Sequence, residues 1–307
     1  MTYSSKFSTQ VRELIDNLKS VCANYGLGNH GNEYTIITQF FLYKFLHDKF
    51  VYEIKNVDSE LGKSDNWEQK IKDLSDDEYE FLTMKLNEGT AVLRPEHLIS
   101  NLFTKQNQAN FAHIFDKTLI DIARDNKDIF SVSTGGGEKI SLFEDMSKYV
   151  TDNRDDFFRA MINKLVALSF ENVFSEGFDF FSTIFEYLIK DYNSDSGGKY
   201  AEYFTPHVVS GIMARCLVPD HLKENITNVS CYDPSAGSGT LLMNIAHQIG
   251  NDRCSIYSQD ISQKSSSLLR LNLILNNLVH SIHNIIQGNT LIEPAHKNKD
   301  RNIQTFA

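Results

Sequence analysis

The sequence predicts an α/β protein in which a helical N-terminal domain precedes a doubly wound domain built on a parallel sheet. Apolar residues recur at helical spacing in the first part of the chain, whereas short apolar runs alternate with helical patterns later. A glycine-rich turn directly follows the first of those runs. Alternation of strands and helices with short connections is typical of a parallel doubly wound sheet. We therefore expect a helical domain over residues 1–150 and a second domain over 151–307.

The helical domain is predicted to begin with two amphipathic helices, over residues 7–22 and 34–50. Their connection contains Gly26, Gly28 and Gly31, which spell GxGxxG. A dinucleotide-binding fingerprint needs a strand before the glycines, because the glycines bend that strand into a helix beneath a pyrophosphate. A helix precedes them here. We interpret the motif as a turn between two helices, with glycine ending the first.

The later elements follow from the same patterns. We expect a flexible loop or hairpin over 131–143, helices over 155–170 and 179–192, and a loop over 193–199. The doubly wound region is predicted to contain strands over 229–233, 255–259 and 283–288, with a helix ending near Ile249 and another over about Ser262–Leu278.

The composition restricts the function classes. There are 30 Lys and Arg against 40 Asp and Glu, a net charge of −10. A protein that grips DNA alone usually carries a basic surplus, because neutralised phosphates supply most of the affinity. If this chain acts on DNA, a partner should bring the positive charge. The four cysteines form no CxxC pair, so we expect neither a metal site nor disulfides, and no segment is apolar enough to span a membrane. A cytoplasmic protein is the natural interpretation.

The turn Asp233-Pro-Ser-Ala-Gly-Ser-Gly-Thr240 is the strongest candidate site. Gly237 and Gly239 allow a sharp turn and a close approach to a ligand, and the following helix presents free N–H groups. Asp233 would repel a pyrophosphate but can pair with an ammonium group. An amino-acid ligand satisfies both the aspartate and the helix end, although a purely structural turn remains an alternative.

Asp260 is the second candidate. It ends the next predicted strand, where an acid in a nucleoside-binding doubly wound fold bonds ribose hydroxyls. The alternative is a simple cap on the helix that begins near Ser262. Its position after a glycine turn favours the ribose role.

Residues 198–209, GKYAEYFTPHVV, extend these motifs upstream. Together with the preceding FEYLI and the glycine turn, they resemble the M (modification) subunits of type I restriction-modification systems, which carry YEYLI…GK…GEFYTP…V and then DPxxGxGxxL. Ala201 stands where that family usually has Gly, and Tyr203-Phe204 reverses its Phe-Tyr order. SQDIS resembles the family's GQ[DE] segment. QGNTL resembles its GDxL, with Asn289 in place of Asp. A weaker similarity to the helical N-terminal domain covers residues 8–50.

The resemblance implies a class I (Rossmann-like) methyltransferase domain that binds S-adenosyl-L-methionine. Tyr203 and Phe204 would pack near the cofactor, although ordinary core packing is the alternative for such a pair. Asn289 would lie near the adenine N6, with its side-chain carbonyl as an acceptor. The implied cofactor-binding residues are Glu202, Tyr203, Phe204, Thr205, Pro206, His207, Asp233, Ser235, Ala236, Gly237, Gly239, Asp260 and Asn289.

The family's catalytic [ND]PP[FYW] tetrapeptide does not occur. The only prolines after Asp233 are Pro234 and Pro294, and neither forms a PP pair. We therefore expect a methyltransferase domain that is incomplete at its C-terminus, as in a truncated gene product or an expression fragment, with no catalytic residue in this chain.

The function implied by the resemblance is adenine-N6-specific DNA methylation. The subunit would reach DNA through a specificity subunit and work with a restriction subunit and a second copy of itself. The alternatives are a methyltransferase for protein, RNA or a small molecule, and a non-catalytic cofactor-binding module. Asp233 and the absence of a third glycine disfavour a dinucleotide oxidoreductase. The recognised DNA sequence would be determined by the partner.

Overall fold

A computed structural model describes residues 3–28, 31–174, 187–188 and 205–297. The chain forms two compact units. The first comprises Met1–Asn126 and Phe143–Leu188, and the second comprises Lys127–Leu142 and Ile189–Ala307. The short segment Lys127–Leu142 therefore belongs to the second unit although it interrupts the first in sequence.

The first unit is helical in its described residues. None of the described helices is both long enough and apolar enough to span a membrane. The helices are α1 (Tyr3–Asn24), α2 (Gly31–Val57), α3 (Ser59–Gly62), α4 (Trp67–Lys72), α5 (Asp76–Thr83), α6 (Ile99–Lys105), α7 (Phe111–Asp125), α9 (Arg154–Leu165) and α10 (Glu171–Phe174), with 3-10 turns at Pro95–His97 and Ser147–Tyr149.

Phenylalanine side chains fill the core of this unit. The Phe115 ring lies 4.8 Å from the ring of Phe40 in α2 and 5.2 Å from that of Phe158 in α9, measured between centroids. All three side chains are fully buried. Aromatic pairs at this separation add stabilisation beyond the area that they bury. The contacts hold α2, α7 and α9 together.

Asp48 is a carboxylate buried within this core. Lys44 Nζ donates to it at 3.0 Å, the Phe170 N–H at 2.7 Å, and His47 Nδ1 lies 2.7 Å away. Burial by itself would raise the pKa of Asp48, but the charge of Lys44 and the bonds from His47 and Phe170 outweigh it and lower the pKa below its usual value. The charged form therefore ties α2 to the chain that leads into α10.

The second unit contains the sheet. Its strands lie in the order β2-β1-β5-β4-β3, and all neighbouring pairs except β1–β2 are parallel. The elements are α8 (Lys127–Phe130), β1 (Val132–Thr134), β2 (Lys139–Ile140), α11 (His207–Leu217), β3 (Val229–Asp233), α12 (Thr240–Ile249), β4 (Cys254–Asp260), α13 (Gln263–Leu275) and β5 (Ile285–Gln287), with 3-10 turns at Lys223–Asn225 and Val279–Asn284.

The β1–β2 hairpin completes one side of the sheet. Ser133 pairs with Ile286 of β5, across a long separation in sequence. Arg270 of α13 is buried, and its Nη1 donates to the carbonyls of Phe130 at 3.4 Å and Ile140 at 3.1 Å. Burial lowers the pKa of this guanidinium to about 10. Arg270 thus fastens the inserted segment to the helix that covers the sheet.

The predicted fold class and most of the predicted elements are confirmed. Two helices flank the Gly26 turn, where Gly26 has a φ of +74°, and β3 occupies Val229–Asp233 as expected. α13 ends at Leu275 rather than near Leu278, because Asn277 takes a left-handed φ of 57°. β3 is half-buried, since β4 is its one neighbour among the described strands.

The two units do not divide at residue 150. That position falls inside the first unit, because α9 packs against α1 and α7, whereas β1 and β2, within the 131–143 stretch, form a hairpin of the second unit. The loop predicted over 193–199 and nearly all of the helix predicted over 179–192 lie outside the described residues.

Asp116 forms a carboxyl pair with Asp145 in the first unit. It is buried, and it accepts the N–H groups of Met146 at 3.0 Å and Ser147 at 3.1 Å. Burial, together with the hydrogen bond to Asp145, raises the pKa of Asp116 to about 7, whereas the same hydrogen bond lowers the pKa of Asp145. One proton is therefore shared between the two groups below neutral pH.

This pair should make the stability of the protein depend on pH. An unfolded aspartate loses its proton near pH 4, so between about pH 4 and pH 7 the native state holds one proton more than the unfolded state. The free energy of unfolding should fall as pH rises through this window, by at most about 1.4 kcal/mol per pH unit. Urea denaturation at a series of pH values measures this slope.

The variant Asp145→Asn provides the control. Its amide can donate to an ionised Asp116 without a shared proton, so the pH dependence between pH 4 and 7 should become flatter than in the parent protein. Parallel curves for the two proteins would contradict the assignment.

Candidate functional site

The glycine turn joins β3 to α12. Gly237 has a φ of +54° and Gly239 a φ of +83°, both in the left-handed region that favours glycine. A Cβ on Gly239 would lie 2.2 Å from Leu269 Cδ1, whereas a Cβ on Gly237 would meet nothing within 4 Å. Gly239 is thus required by packing against α13. Gly237 is required by its backbone conformation and leaves open space above the turn.

Asp233 ends β3 at the base of this turn. Its Oδ1 accepts the Ser235 N–H at 2.9 Å. Burial raises the pKa of Asp233, the Ser235 bond opposes that rise, and the nearby charge of Asp260 adds to it. A cation bound at this place would relieve the repulsion between the two carboxylates. The electrostatics therefore favour a positively charged group of a ligand.

Asp260 connects the segments that follow the three parallel strands β3, β4 and β5. Its Oδ2 accepts the Gly237 N–H at 3.0 Å, and its Oδ1 accepts the Ser262 N–H at 2.8 Å. Its main-chain carbonyl accepts the Gly288 N–H at 2.8 Å. The Ser262 bond agrees with a capping role for Asp260, which the sequence alone could not distinguish from ribose binding. The Gly237 bond shows that the carboxylate also reaches across to the glycine turn.

The loop after β5 meets the glycine turn from the other side. Thr290 Oγ1 donates to the Pro234 carbonyl at 2.7 Å. Asn289 Oδ1 accepts the N–H groups of Leu291 at 3.0 Å and Ile292 at 3.3 Å, which fixes a tight turn. The predicted residues Asp233, Ser235, Gly237, Asp260 and Asn289 are therefore brought to one edge of the sheet.

The sequence patterns did not identify three apolar side chains at this edge as candidate site residues. Ile261 is 64% exposed, Leu291 95% and Ile292 82%. Large apolar side chains this exposed, beside half-buried carboxylates, are typical of a ligand-binding surface. Their signal in the sequence is positional, because Ile261 directly follows the last residue of β4, and Leu291 and Ile292 lie in the loop that follows β5.

The predicted FTP segment is described only in part. Pro206 precedes α11, which packs against α12, and Asn244 of α12 donates to Ser210 at 2.9 Å. Thr205 is half-buried and His207 is exposed. Their role in binding remains a prediction, as does that of Ala236, which is buried within the turn. Glu202, Tyr203 and Phe204 lie outside the described residues.

No metal site accompanies this edge of the sheet. Across the residues that the structure describes, no group of three or more His, Cys, Asp or Glu side chains is placed to hold a metal ion. The four cysteines are free thiols.

A family model for N-6 DNA methylase matches residues 176–306, which include the whole of this site. The glycine turn, Asp260 and the Asn289 loop thus lie within the residues that match this family model, and the resemblance seen in the sequence is confirmed.

Two relatives extend the comparison. The type I restriction enzyme MpnII methylase subunit of Mycoplasma pneumoniae is 25% identical over 212 residues, which cover 65% of this chain and 38% of the relative. The solved methyltransferase subunit of a type I restriction-modification system from Streptococcus thermophilus has a TM-score of 0.71 at 16% identity, over 96% of this chain and 62% of that one. The likeness to the solved structure shows the shared fold. This chain spans less than two thirds of the length of each relative, 38% of the first and 62% of the second.

The two glycines of the turn should differ in their effect on stability. Gly237→Ala places a methyl group in open space and costs about 1 kcal/mol, the price of a left-handed alanine. Gly239→Ala adds a collision with Leu269 to the same backbone cost, so its loss should be clearly larger, about 2–4 kcal/mol. Urea denaturation followed by circular dichroism measures both. Equal losses would show that Gly239 is not packed as described.

Proposed function

We propose that this chain binds S-adenosylmethionine at the ends of β3, β4 and β5, as part of an adenine-N6 DNA methyltransferase subunit of a type I restriction-modification system. The observation that carries the proposal is the bonding of Asp260 to the glycine turn, within residues that match the N-6 DNA methylase family. That contact brings three features together: a carboxylate that attracts cations, the N–H groups at the start of α12, and an apolar surface.

The residues present fit the cofactor chemically. Asp233 attracts the ammonium group of the methionine moiety, and the N-terminus of α12 attracts its carboxylate. The open space at Gly237 admits the ligand close to the backbone. When bound, S-adenosylmethionine supplies an electrophilic methyl group on its sulfonium. The chain's own residues hold and orient it.

Asp260 is proposed to bind the ribose. Its carboxylate accepts two main-chain N–H bonds, and each oxygen retains lone pairs for ribose hydroxyls. Ile261 and Leu291 offer apolar surface to the base. We extend the proposed site to Thr205, Pro206 and His207 before α11, and to Glu202, Tyr203 and Phe204.

The methyl acceptor is proposed to be an adenine of DNA, and the partners a specificity subunit, a restriction subunit and a second copy of this chain. A net charge of −10 agrees with a partner that supplies the DNA-binding charge. We assign no base-activating residue to this chain. The free thiols agree with action in the cytoplasm.

Isothermal titration calorimetry with S-adenosylhomocysteine and with NAD tests the proposal. S-adenosylhomocysteine should bind, and NAD should not, because Asp233 repels a pyrophosphate. Gly237→Leu should weaken binding at least about tenfold, since the side chain enters the space above the turn.

Gly26→Leu is the matched control. Gly26 also has a left-handed φ, +74°, and open space for a Cβ, but it lies between α1 and α2 in the rejected GxGxxG motif. This variant should bind as the parent does. If Gly26→Leu abolished binding while Gly237→Leu left it intact, the proposed site would be wrong. Binding of NAD in place of S-adenosylhomocysteine would also contradict the proposal.

A further inference from the structure

A buried asparagine of α13 holds the main chain of the glycine turn. Asn272 is 4% exposed, and its Nδ2 donates to the carbonyl of Ser238 at 3.0 Å. The two residues are 34 positions apart in sequence, so the bond joins two separate elements. A main-chain carbonyl can only accept a hydrogen bond, which fixes the amide with its nitrogen towards the turn. Asn272 therefore acts on the turn and, being buried, not on a ligand.

The peptide between Ser238 and Gly239 is held at both of its polar groups. Its carbonyl accepts from Asn272, and its N–H donates to the Ala236 carbonyl at 2.8 Å. Gly239 is the residue that caps α12, and as a glycine it has no side chain with which to bond the first N–H groups of the helix. Those groups also have no partner within the helix. Their direction therefore depends on how this one peptide is held.

Asn272 is itself oriented by a second asparagine of the same helix. Asn276 is fully buried, and its Nδ2 donates at 2.8 Å to both the main-chain carbonyl and the side-chain oxygen of Asn272. The Asn276 oxygen then faces His247 Nε2 of α12 at 3.0 Å, so this nitrogen carries a proton. Hydrogen bonds that donate in one direction strengthen each other. The series from His247 ends on the Ser238 carbonyl and connects α12, α13 and the glycine turn.

We propose that Asn272 is a positioning residue for the cofactor, which acts through the Ser238 carbonyl on the N–H groups at the start of α12. This rests on the proposed function, in which those N–H groups attract the carboxylate of the methionine moiety. Without the Asn272 amide, the peptide loses a bond that sets its direction, and the carboxylate meets N–H groups that are no longer held. The ribose is affected less, because Asp260 is also held by the Ser262 N–H, outside the turn.

The variant Asn272→Leu tests this role with two ligands. Leucine is close to asparagine in shape but cannot donate a hydrogen bond. S-adenosylhomocysteine carries the amino-acid moiety, whereas methylthioadenosine keeps the nucleoside and the sulfur without it. In calorimetry, the variant should bind S-adenosylhomocysteine at least about tenfold more weakly than the parent chain does, and its affinity for methylthioadenosine should stay within about threefold of that of the parent.

Asn284→Leu is the matched control. Asn284 is also buried, and its Nδ2 donates to the main-chain carbonyl of Ile256 at 3.1 Å. It precedes β5, at the opposite end of that strand from the segment that meets the glycine turn. This variant should lose stability comparable to that lost by Asn272→Leu in urea denaturation, because both remove one buried amide bond to a carbonyl. Its affinities for both ligands should stay within about threefold of those of the parent.

Asn272→Ser replaces Asn272→Leu if the leucine variant does not fold. The serine hydroxyl keeps a polar partner for Asn276 but ends one bond short of the Nδ2 position, so the same selective loss is expected. Unchanged binding of S-adenosylhomocysteine by a folded Asn272 variant, equal losses for both ligands, or the same selective loss in Asn284→Leu would overturn the positioning role and leave the proposed function intact. A parent chain that binds neither ligand would overturn both.

Discussion

The bonds of Asp260 are the constraint on which the site depends. One residue at the tip of β4 accepts main-chain N–H groups from three places: the glycine turn, the start of α13 and the residue after β5. These segments follow three different strands, and parallel pairing alone would bring them to the same edge without fixing their loops. The Asp260 carboxylate and carbonyl fix them. Thr290 adds a second connection, between the β5 loop and Pro234.

The sheet that carries these loops is assembled from distant parts of the sequence. β1 and β2 come from a segment that interrupts the helical unit, yet they pair beside β5. Arg270 binds carbonyls at both ends of that segment. A buried guanidinium is costly unless its donors are hydrogen-bonded. The bonds to Phe130 and Ile140 therefore offset the cost of burying Arg270 where α13 packs on the sheet. The same helix, α13, packs against Gly239 through Leu269 and holds the inserted hairpin through Arg270.

Local sequence patterns were sufficient for the elements that form the site. β3 and the turn after it could be predicted because an apolar run, a terminal aspartate and two glycines lie together in sequence. The same holds for Asp260 at the end of β4. By contrast, β1 is three residues long and pairs with a strand about 150 positions away, and no local pattern encodes such a pairing. The domain boundary could not be located for the same reason.

Side-chain roles were harder to predict than positions. The position of Asn289 at the end of β5 was expected, but the direction of its amide depends on the main-chain turn at Leu291 and Ile292. The proton shared by Asp116 and Asp145 likewise depends on a loop that approaches α7 from 30 residues away. In both places the sequence shows which group is present, and the fold decides whether that group donates or accepts.

The proposed function requires that the three loops joined by Asp260 form one cofactor site. Hydrogen exchange followed by mass spectrometry, with and without S-adenosylhomocysteine, tests it most directly. Ligand should slow exchange together in peptides that cover 233–240, 258–262 and 287–292, and the α1–α2 connection should not change. Slowed exchange in only one of these segments, or at a place outside them, would contradict the claim.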